Sequence, residues 1–190
     1  CACATHIIPE GKGVMDDLQA HITRKPMRVL GYGNVRGVDM KYWRRENADT
    51  EKFRQIKDNN RFTFLFVGRI VKDKGINELV EAFMHIYRNF KVRLFLVGQF
   101  EDKLDPIADS TRKIIEECDG LVCPGPQYGT DLLAYYAASD CFVFPSYREG
   151  FPNTVLEAGA MELPSIVTDI NGSREIIENG KNGLIIPSKN

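Results

Sequence analysis

Short continuous apolar runs alternate with helical patterns from residue 61 onward, and this alternation constrains the fold more than any other feature of the chain. The apolar runs cover residues 62–67, 92–97, 121–123, 141–144, 165–168 and 183–187. The helical patterns between them cover residues 77–87, 107–117, 131–138, 154–161 and 173–177. Uninterrupted apolar strands joined by helices predict a parallel sheet that is covered on both faces. Because such crossovers are right-handed, we expect a doubly wound, Rossmann-like α/β domain.

Residues 1–60 lack this alternation. They contain a short strand-like segment at 27–30, a loop at 31–39 and a charged run at 44–60. We interpret them as the tail of a preceding domain and an interdomain linker, with the charged run as a solvated helix face. The predicted domain is therefore 61–190. Because the chain starts without Met and opens within an element, we expect it to be part of a larger protein.

Composition and charge exclude several classes of protein. The 190 residues are 43% hydrophobic and 27% charged, which is typical of a soluble globular chain rather than a disordered one. A formal net charge of −1 gives no general attraction to nucleic acid or to an anionic membrane. The sequence has neither an apolar run of the ~20 residues that a membrane span requires nor a recognisable signal peptide. These features predict a cytoplasmic protein.

The cysteines favour a reducing compartment. The chain has five, and three of them lie in or beside apolar runs: Cys118, Cys123 and Cys141. We interpret these as buried free thiols. Cys1 and Cys3 with His6 lack the spacing of a metal-ligand set, so we predict no metal site.

A glycine-rich stretch resembles a dinucleotide-binding fingerprint but departs from it. Segment 27–30 leads into Gly31, Gly33 and Gly37, and the third glycine is one position late for G-x-G-x-x-G. No amphipathic helix begins there, and no following strand ends in an acid that would hold a ribose. We therefore predict a glycine-rich turn and disfavour an NAD-dependent oxidoreductase.

The carboxyl ends of the predicted strands are where a binding site is expected, because doubly wound sheets bind ligands beyond those ends. The segments that follow the strands are 68–75, 98–100, 124–128, 146–154 and 169–173. We expect all of them to lie along one edge of the sheet.

The stretch 146–160 is the most informative of these. A strand ends just before it, and we expect a helix with Asn153 or Thr154 as its cap and Pro152 just ahead. The free backbone N–H groups and the positive end of the helix dipole then form a diphosphate site. Gly150 allows the backbone to approach the ligand closely.

Two carboxylates accompany this stretch. Glu157 lies in a helix that is apolar on nearly every side, so we expect it to be buried and to need partners. A sugar diol supplies two hydroxyl donors, whereas an arginine or backbone N–H groups of a neighbouring loop are the alternative. Glu149 lies on the cleft side of the preceding loop and suits hydroxyls of a transferred sugar, with a solvated loop carboxylate as its alternative.

Two cations follow the first strand of the domain. Arg69 offers a planar fork of donors and Lys74 a point charge, and both suit phosphate oxygens. The alternative is a basic surface turn, since lysine and arginine are ordinary in loops. Lys74 immediately precedes Gly75 and is expected to be less exposed than Lys72.

Taken together, these segments resemble the donor-binding domain of glycosyltransferase family 4, whose members are retaining enzymes with the GT-B fold. The strongest match is Glu149-Gly150-Phe151-Pro152 with Glu157 eight positions after Glu149, the E-x7-E pattern. The other matches are Gly37-Val38-Asp39, Val67-Gly68-Arg69, Lys74-Gly75, Gly125, Phe144-Pro145-Ser146, residues 158–164, Asp169, Gly172, Glu175-Ile176-Ile177, Gly180 and Asn182-Gly183-Leu184. The resemblance covers residues 28–190 and implies the C-terminal, nucleotide-sugar-binding half of a GT-B enzyme.

The resemblance implies roles for the charged positions. Glu157 would hold the ribose hydroxyls, and Glu149 would hold hydroxyls of the donor sugar. Arg69 and Lys74 would bind the diphosphate and offset charge on the departing nucleotide, and Gly68, next to Arg69, would also lie at the donor.

It also implies contacts made by the backbone and by apolar residues. The loop and helix start that would assist at the sugar and phosphates comprise Gly150, Phe151, Pro152, Asn153 and Thr154. The base would lie against residues 122–126, in particular Val122, Pro124 and Gly125. Tyr128 is a weaker candidate for this contact.

The implied reaction is transfer of a sugar from a UDP- or GDP-sugar to an acceptor hydroxyl with retained anomeric configuration, in polysaccharide or glycoconjugate synthesis. No cofactor beyond this donor and no metal are implied, because positive side chains replace the metal. Members of the family bind the acceptor sugar or lipid-linked glycan through an N-terminal domain, which also allows peripheral association with the cytoplasmic face of a membrane. Since that domain and the family's final helix lie outside the sequence, we expect weak nucleotide binding and negligible transfer by this chain alone.

Three other functions stay open at this point. They are a stand-alone module that binds a nucleoside diphosphate, an NAD-type Rossmann oxidoreductase or epimerase, and a synthase of the same fold that acts on a sugar phosphate. An N-terminal domain encoded upstream argues against the first, and tight NAD binding would support the second.

Overall fold

The computed structural model describes residues 3–34 and 36–188. The Cys1 thiol considered above as a metal ligand lies outside the described residues, as do Ala2 and Val35. The last two residues of the predicted domain, Lys189 and Asn190, also lie outside them.

Six strands form one parallel sheet in the order β3-β2-β1-β4-β5-β6. Their bounds are β1 Phe62–Val67, β2 Val92–Val97, β3 Leu121–Gly125, β4 Cys141–Phe144, β5 Ser165–Thr168 and β6 Gly183–Ile186. The order reverses between β1 and β4, which is the topological switch point of a doubly wound sheet. The predicted fold class is therefore confirmed.

The helices alternate with the strands as the sequence pattern predicts. Their bounds are α1 Lys12–His21, α2 Thr50–Ile56, α3 Ile76–Tyr87, α4 Asp109–Glu117, α5 Gly129–Ala138, α6 Asn153–Ala160 and α7 Ser173–Ile176. Short 3-10 turns at Arg45–Asn47 and Lys72–Lys74 complete the helical structure. The sequence pattern placed the start of α4 at residue 107, whereas the helix begins two residues later. It also ended β3 at residue 123, whereas the strand continues through Pro124 and Gly125. A proline is tolerated there because β3 is an edge strand.

The core lies on both faces of the sheet, and the central strands supply most of it. Every residue of β2 is buried, including Arg93, which is 6% exposed. Its guanidinium Nη2 donates to Thr63 Oγ1 at 3.1 Å and its Cζ lies 4.2 Å from the centre of the Phe95 ring. The aromatic ring and the hydroxyl acceptor partly offset the free-energy cost of burying the Arg93 charge. The strand can therefore contain a charged residue at this buried position.

The pairing of β1 with β4 brings together the loops that follow them. The Tyr147 N–H donates to the Asp73 carbonyl at 2.9 Å, and the Ser146 hydroxyl donates to the same oxygen at 3.4 Å. Gly75 ends the first loop with φ of +70° and lies directly against the Pro145 carbonyl oxygen. The two loops therefore form one continuous wall at the carboxyl edge of the sheet.

The segment before the sheet is attached to the same edge. The Glu175 carboxylate accepts hydrogen bonds from the backbone N–H groups of Lys12 (2.7 Å) and Gly13 (3.1 Å), at the start of α1. The Asn171 side-chain amide donates to the Asp17 carboxylate at 2.6 Å. A carboxylate at a helix N-terminus is favourable because it satisfies free donors and complements the helix dipole.

The charged run at 44–60 is more than the solvated helix face that the sequence predicted. The Arg45 guanidinium donates to the carbonyls of Met161 and Ala137, both at 3.1 Å, and Lys57 donates to the Ala138 carbonyl at 3.2 Å. These cations satisfy carbonyls at the ends of α5 and α6, where helices leave acceptors free. The predicted solvated face is therefore wrong for Lys57, whose side chain is only 24% exposed, whereas Arg45 is exposed and also bonds to carbonyls far along the chain.

The glycine-rich stretch is a turn, as predicted. Gly31, Gly33 and Gly37 all have positive φ, of 57°, 103° and 68°, and the strand-like segment before them makes only an isolated bridge between Met27 and Ile7. No helix of the described residues has the length and apolar character of a membrane span.

We expect Gly75→Ala to destabilise the chain by about 1–3 kcal/mol, because a Cβ would strain the left-handed backbone and meet the Pro145 carbonyl oxygen. Urea unfolding measures the change. Gly159→Ala is the matched control: it lies in α6 with open space around its Cα, and there alanine should stabilise by about 0.5–1 kcal/mol. Equal effects of the two substitutions would contradict the tight contact at Gly75.

Candidate functional site

A cavity of about 310 Å3 lies at the switch point, between the loops that follow β1 and β4. Its walls combine the end of each strand, the two loops and the first turn of α6, and they comprise Val67, Gly68, Arg69, Lys74, Phe144, Glu149, Phe151, Pro152, Asn153 and Thr154. Arg69, Lys74 and Glu149, the three residues predicted to act at the diphosphate and the transferred sugar, are in this set, with five of the other predicted donor-binding residues. The topology thus collects positions up to 87 residues apart in the sequence, from Val67 to Thr154, into one site.

The first turn of α6 faces this cavity without a side-chain cap. Pro152 is the N-cap residue, and its side chain makes no cap hydrogen bond. The predicted cap, Asn153 or Thr154, is therefore wrong: the helix begins one residue earlier, and a proline side chain has no acceptor. Because Pro152, Asn153 and Thr154 line the cavity, the backbone N–H groups of the first turn and the positive end of the helix dipole lie at its wall, as an anion site requires.

Asn153 has a different partner. Its Oδ1 accepts a hydrogen bond at 2.7 Å from the Asn34 side-chain amide, which also lies 3.4 Å from the Phe151 carbonyl. Asn34 adopts φ of +64°, and its own Oδ1 accepts from the N–H groups of Arg36 and Gly37. A residue of the connecting segment therefore supports the loop that lines the cavity.

Lys74 and Glu149 form an ion pair inside the cavity. Lys74 Nζ contacts Glu149 Oε1, and the two side chains are only 14% and 15% exposed. Lys74 Nζ also lies 5.4 Å from the centre of the Phe144 ring, a distance at which a cation is attracted to the ring face. The pair holds a cation and a carboxylate side by side in a partly desolvated place, where both act more strongly on a ligand than in water.

Arg69 is more exposed and is held from the outside. Its Nη1 donates to Glu101 Oε2 at 2.9 Å, and the side chains are 58% and 28% exposed. Glu101 follows β2 and does not line the 310 Å3 cavity. The guanidinium keeps further N–H donors for a ligand, because it has five in all.

Glu157 lies on α6 beside this cavity rather than in its wall. It is half-buried, and its Oε2 accepts a hydrogen bond at 3.2 Å from the hydroxyl of Tyr136, a fully buried residue. Burial raises the pKa of the Glu157 carboxyl, while the Tyr136 hydrogen bond and the charge of Arg36 lower it by less. Burial likewise raises the pKa of Tyr136 well above its ordinary value, so the hydroxyl stays a donor.

The protein partner of Glu157 is thus neither of the two that the sequence suggested. Tyr136 replaces the arginine or backbone N–H groups, and this one hydrogen bond leaves further acceptor capacity on the carboxylate. The helix around it is also less buried than expected, because only Val155 and Ala158 of α6 are buried and Gly159 is exposed.

The predicted base-binding residues lie farther along the same edge. Val122, Pro124 and Gly125 belong to β3, two strand spacings or about 10 Å from β1, and they do not line the 310 Å3 cavity. Tyr128, in the following loop, is 77% exposed. The span between β3 and β1 is comparable with the length of a nucleoside, so the positions are compatible with separate base and phosphate subsites.

Gly150 lies at the seam between the loop and the preceding segment. A Cβ at this position would collide with the Glu10 carboxylate, and the Glu10 carbonyl in turn accepts from the Asn34 N–H at 2.5 Å. Gly150 therefore makes a close contact with Glu10, a residue that no motif had singled out, while its close approach to a ligand stays a prediction.

The residues of the site that the sequence analysis did not identify are all distant in the sequence from the residues that they contact. Glu10, Asn34, Glu101 and Tyr136 reach the site from four different segments, and polar residues in loops are too common to signal such contacts. Asn34 alone carried a local signal, because asparagine is one of the few residues that readily adopts positive φ in a turn.

We expect Glu157→Gln to raise the Tm at pH 7. Because the folded-state pKa is raised above the ordinary value of 4.5, the folded chain binds the proton more tightly than the unfolded chain. Stability is then lost as pH rises from that value through the folded pKa. Glutamine removes the desolvated charge and keeps an acceptor for Tyr136.

The measurement is Tm against pH from 4 to 7 for both chains. The curves should converge at the acid end and separate toward neutrality, whereas Glu117→Gln, at an exposed carboxylate on α4, should track the wild type. A Glu157→Gln curve parallel to that of the wild type would contradict the desolvation of this carboxylate.

Two curated proteins are similar in sequence to most of this chain. The chain is 32% identical over 188 residues to the capsular polysaccharide biosynthesis glycosyltransferase CapM of Staphylococcus aureus, which covers 97% of this chain and 48% of that protein. It is 31% identical over 156 residues to the alpha-monoglucosyldiacylglycerol synthase of Acholeplasma laidlawii, with 78% and 38% coverage. The chain thus spans half or less of the length of these curated relatives.

A solved structure has the same fold. Anabaena HepE in complex with UDP and glucose superposes with a TM-score of 0.79 at 19% identity, over 98% of this chain and 50% of that one. The fold predicted from the sequence, that of one half of a GT-B glycosyltransferase, is therefore confirmed. The family model described as "Glycosyl transferases group 1" matches residues 47–190. With this match over most of its length, the chain belongs to the glycosyl transferases group 1 family and is a glycosyltransferase domain.

Proposed function

We propose that this chain binds a UDP- or GDP-sugar and that the protein to which it belongs transfers the sugar to an acceptor hydroxyl with retained configuration. The observation that carries the proposal is the convergence of Arg69, Lys74 and the uncapped start of α6 on one cavity at the switch point. Two side-chain cations and a helix N-terminus suit a diphosphate. Glu149 adds an acceptor for sugar hydroxyls in the same cavity.

The task of these groups is to stabilise the leaving group. In the transfer, the acceptor oxygen bonds to the anomeric carbon, and the bond from that carbon to the β-phosphate oxygen breaks with its electron pair on the diphosphate. The products are the glycosylated acceptor, the nucleoside diphosphate and a proton. Arg69, Lys74 and the α6 dipole offset the negative charge that develops on the diphosphate, and such preorganised donors commonly supply the largest part of catalysis.

The carboxylates have complementary roles in this proposal. Glu149 holds Lys74 with one oxygen and is available to sugar hydroxyls with the other, whereas Glu157 accepts the ribose hydroxyls with the capacity that Tyr136 leaves free. The base extends along the edge toward Val122, Pro124 and Gly125 on β3. Because side chains and helix dipole provide the positive charge, we propose that donor binding requires no metal and no further cofactor.

The relatives support the wider context of the proposal. HepE has been solved with UDP and with UDP-glucose, CapM is named for capsular polysaccharide biosynthesis, and the Acholeplasma relative is named for a glycosylated diacylglycerol. We propose a glycan or lipid-linked acceptor, bound by a part of the protein other than this chain. The free thiols of Cys123 and Cys141, whose pKa values burial raises to about 11, suit a reducing cytoplasm.

A thermal-shift panel of UDP, GDP, ADP and NAD in EDTA tests the donor class. A ligand that binds only the folded chain at a hundredfold excess over its Kd stabilises it by about 2.7 kcal/mol, or about 5–10 °C for a chain of this size. We expect UDP or GDP to raise the Tm and NAD to leave it unchanged. A rise with NAD alone would support a dinucleotide-binding function instead, and a UDP response abolished by EDTA would contradict metal independence.

We expect Arg69→Ala to weaken UDP or GDP by tenfold or more and to leave the nucleoside, uridine or guanosine, unaffected. The expected loss corresponds to about 1.5 kcal/mol or more for a charge-assisted hydrogen bond to phosphate. Calorimetric titration measures both affinities. Arg88→Ala is the control, since Arg88 is exposed at the far end of α3. Equal losses for nucleotide and nucleoside would point to misfolding rather than to a phosphate contact.

A further inference from the structure

Arg69 lies between two cavities. It lines the 310 Å3 cavity described above and also a neighbouring one of about 460 Å3, whose walls include Glu101, Asp105 and Arg148. Of these two cavities, Glu101 lines only the one of about 460 Å3. The Arg69 guanidinium is therefore shared between the proposed diphosphate site and a carboxylate outside it.

The backbone that carries Arg69 is fixed relative to Glu101. The Gly68 N–H donates to the Val97 carbonyl at 3.0 Å, the Ile70 N–H donates to the Gln99 carbonyl at 2.8 Å, and Ile70 pairs with Phe100 as a parallel bridge. These bonds continue the β1–β2 ladder past the ends of both strands. A shift of Arg69 from one cavity to the other would therefore involve its side chain, which is 58% exposed, and would leave these backbone bonds intact.

Glu101 differs from the other carboxylate that holds a cation of the site. Glu149 pairs with Lys74 within the cavity wall, so a bound donor meets both groups together. Glu101 accepts from Arg69 Nη1 at 2.9 Å from outside that wall, so this donor, and the orientation that the bond gives the guanidinium, favour the second cavity over the diphosphate site.

We propose that Glu101 is a positioning residue that competes with the donor diphosphate for Arg69 and thereby lowers the affinity of the site for nucleoside diphosphates. This inference rests on the proposed function. As negative charge builds on the departing diphosphate, the balance moves from Glu101 toward the phosphate, so the contact strengthens as the bond to the sugar breaks. Weak holding of the free diphosphate also favours release of the product.

Calorimetric titration of the 190-residue chain with UDP, GDP and inorganic pyrophosphate tests the competition. We expect Glu101→Gln to tighten the binding of pyrophosphate and of UDP or GDP by about 1.5- to 5-fold, the range expected for removing a partly exposed ion pair. Uridine and guanosine should bind unchanged. Glu101→Asp keeps the charge, so its diphosphate affinity should stay closer to that of the wild type.

Two comparisons separate this mechanism from a general change of charge. Glu117→Gln removes an exposed carboxylate at the amino edge of the sheet and should leave the affinity unchanged. In an Arg69→Gln background, Glu101→Gln should no longer tighten binding, because its effect acts through Arg69.

The outcomes distinguish the inference from the function on which it rests. A wild-type chain that binds no nucleoside diphosphate would overturn the proposed function, and the inference with it. Nucleotide binding that Glu101→Gln leaves unchanged, or a gain that persists without Arg69, would overturn the role of Glu101 alone. A gain of equal size for the nucleoside would do the same.

Discussion

The parallel pairing of β1 with β4 is the constraint on which the rest of the site depends. It places the loop after β1 against the loop after β4, where the Tyr147 N–H donates to the Asp73 carbonyl and Gly75 lies against Pro145. Lys74 and Glu149, 75 positions apart in the chain, meet only because of this pairing. The reversal of strand order at this point opens the crevice, since the following helices diverge to opposite faces of the sheet.

Charge balance is the second physical theme of this edge. Lys74 is held by Glu149 and Arg69 by Glu101, so both cations of this edge are already paired within the protein. Such an arrangement keeps cations in place without leaving a partly buried charge alone, which would be costly. Glu157 differs from these pairs, because its burial disfavours the ionised form of the carboxyl. Hydrogen-bond donors to its oxygens stabilise that ionised form.

The segment before the sheet is part of the same structure. Glu175 binds the start of α1, Asn34 supports Phe151 and Asn153, and Glu10 packs against Gly150. The Asn34 and Glu10 contacts join residues 3–34 to the loop after β4 and to the start of α6, whereas the Glu175 contact joins them to α7. A displacement of this segment would therefore change the position of the loop that follows β4, because the hydrogen bonds run directly to its backbone and side chains.

The sequence by itself determined the parallel α/β sheet, the edge at which the site lies and the loops that form it. These follow from local information: uninterrupted apolar runs, helical periodicity, and glycine and proline at strand ends. Only the tertiary structure decided the partners of the charged groups, namely Glu101 for Arg69, Tyr136 for Glu157 and Asn34 for Asn153, and it corrected the helix cap to Pro152. Such pairs join residues 21 to 119 positions apart, and periodicity along one segment carries no information about which side chain of another segment will face it.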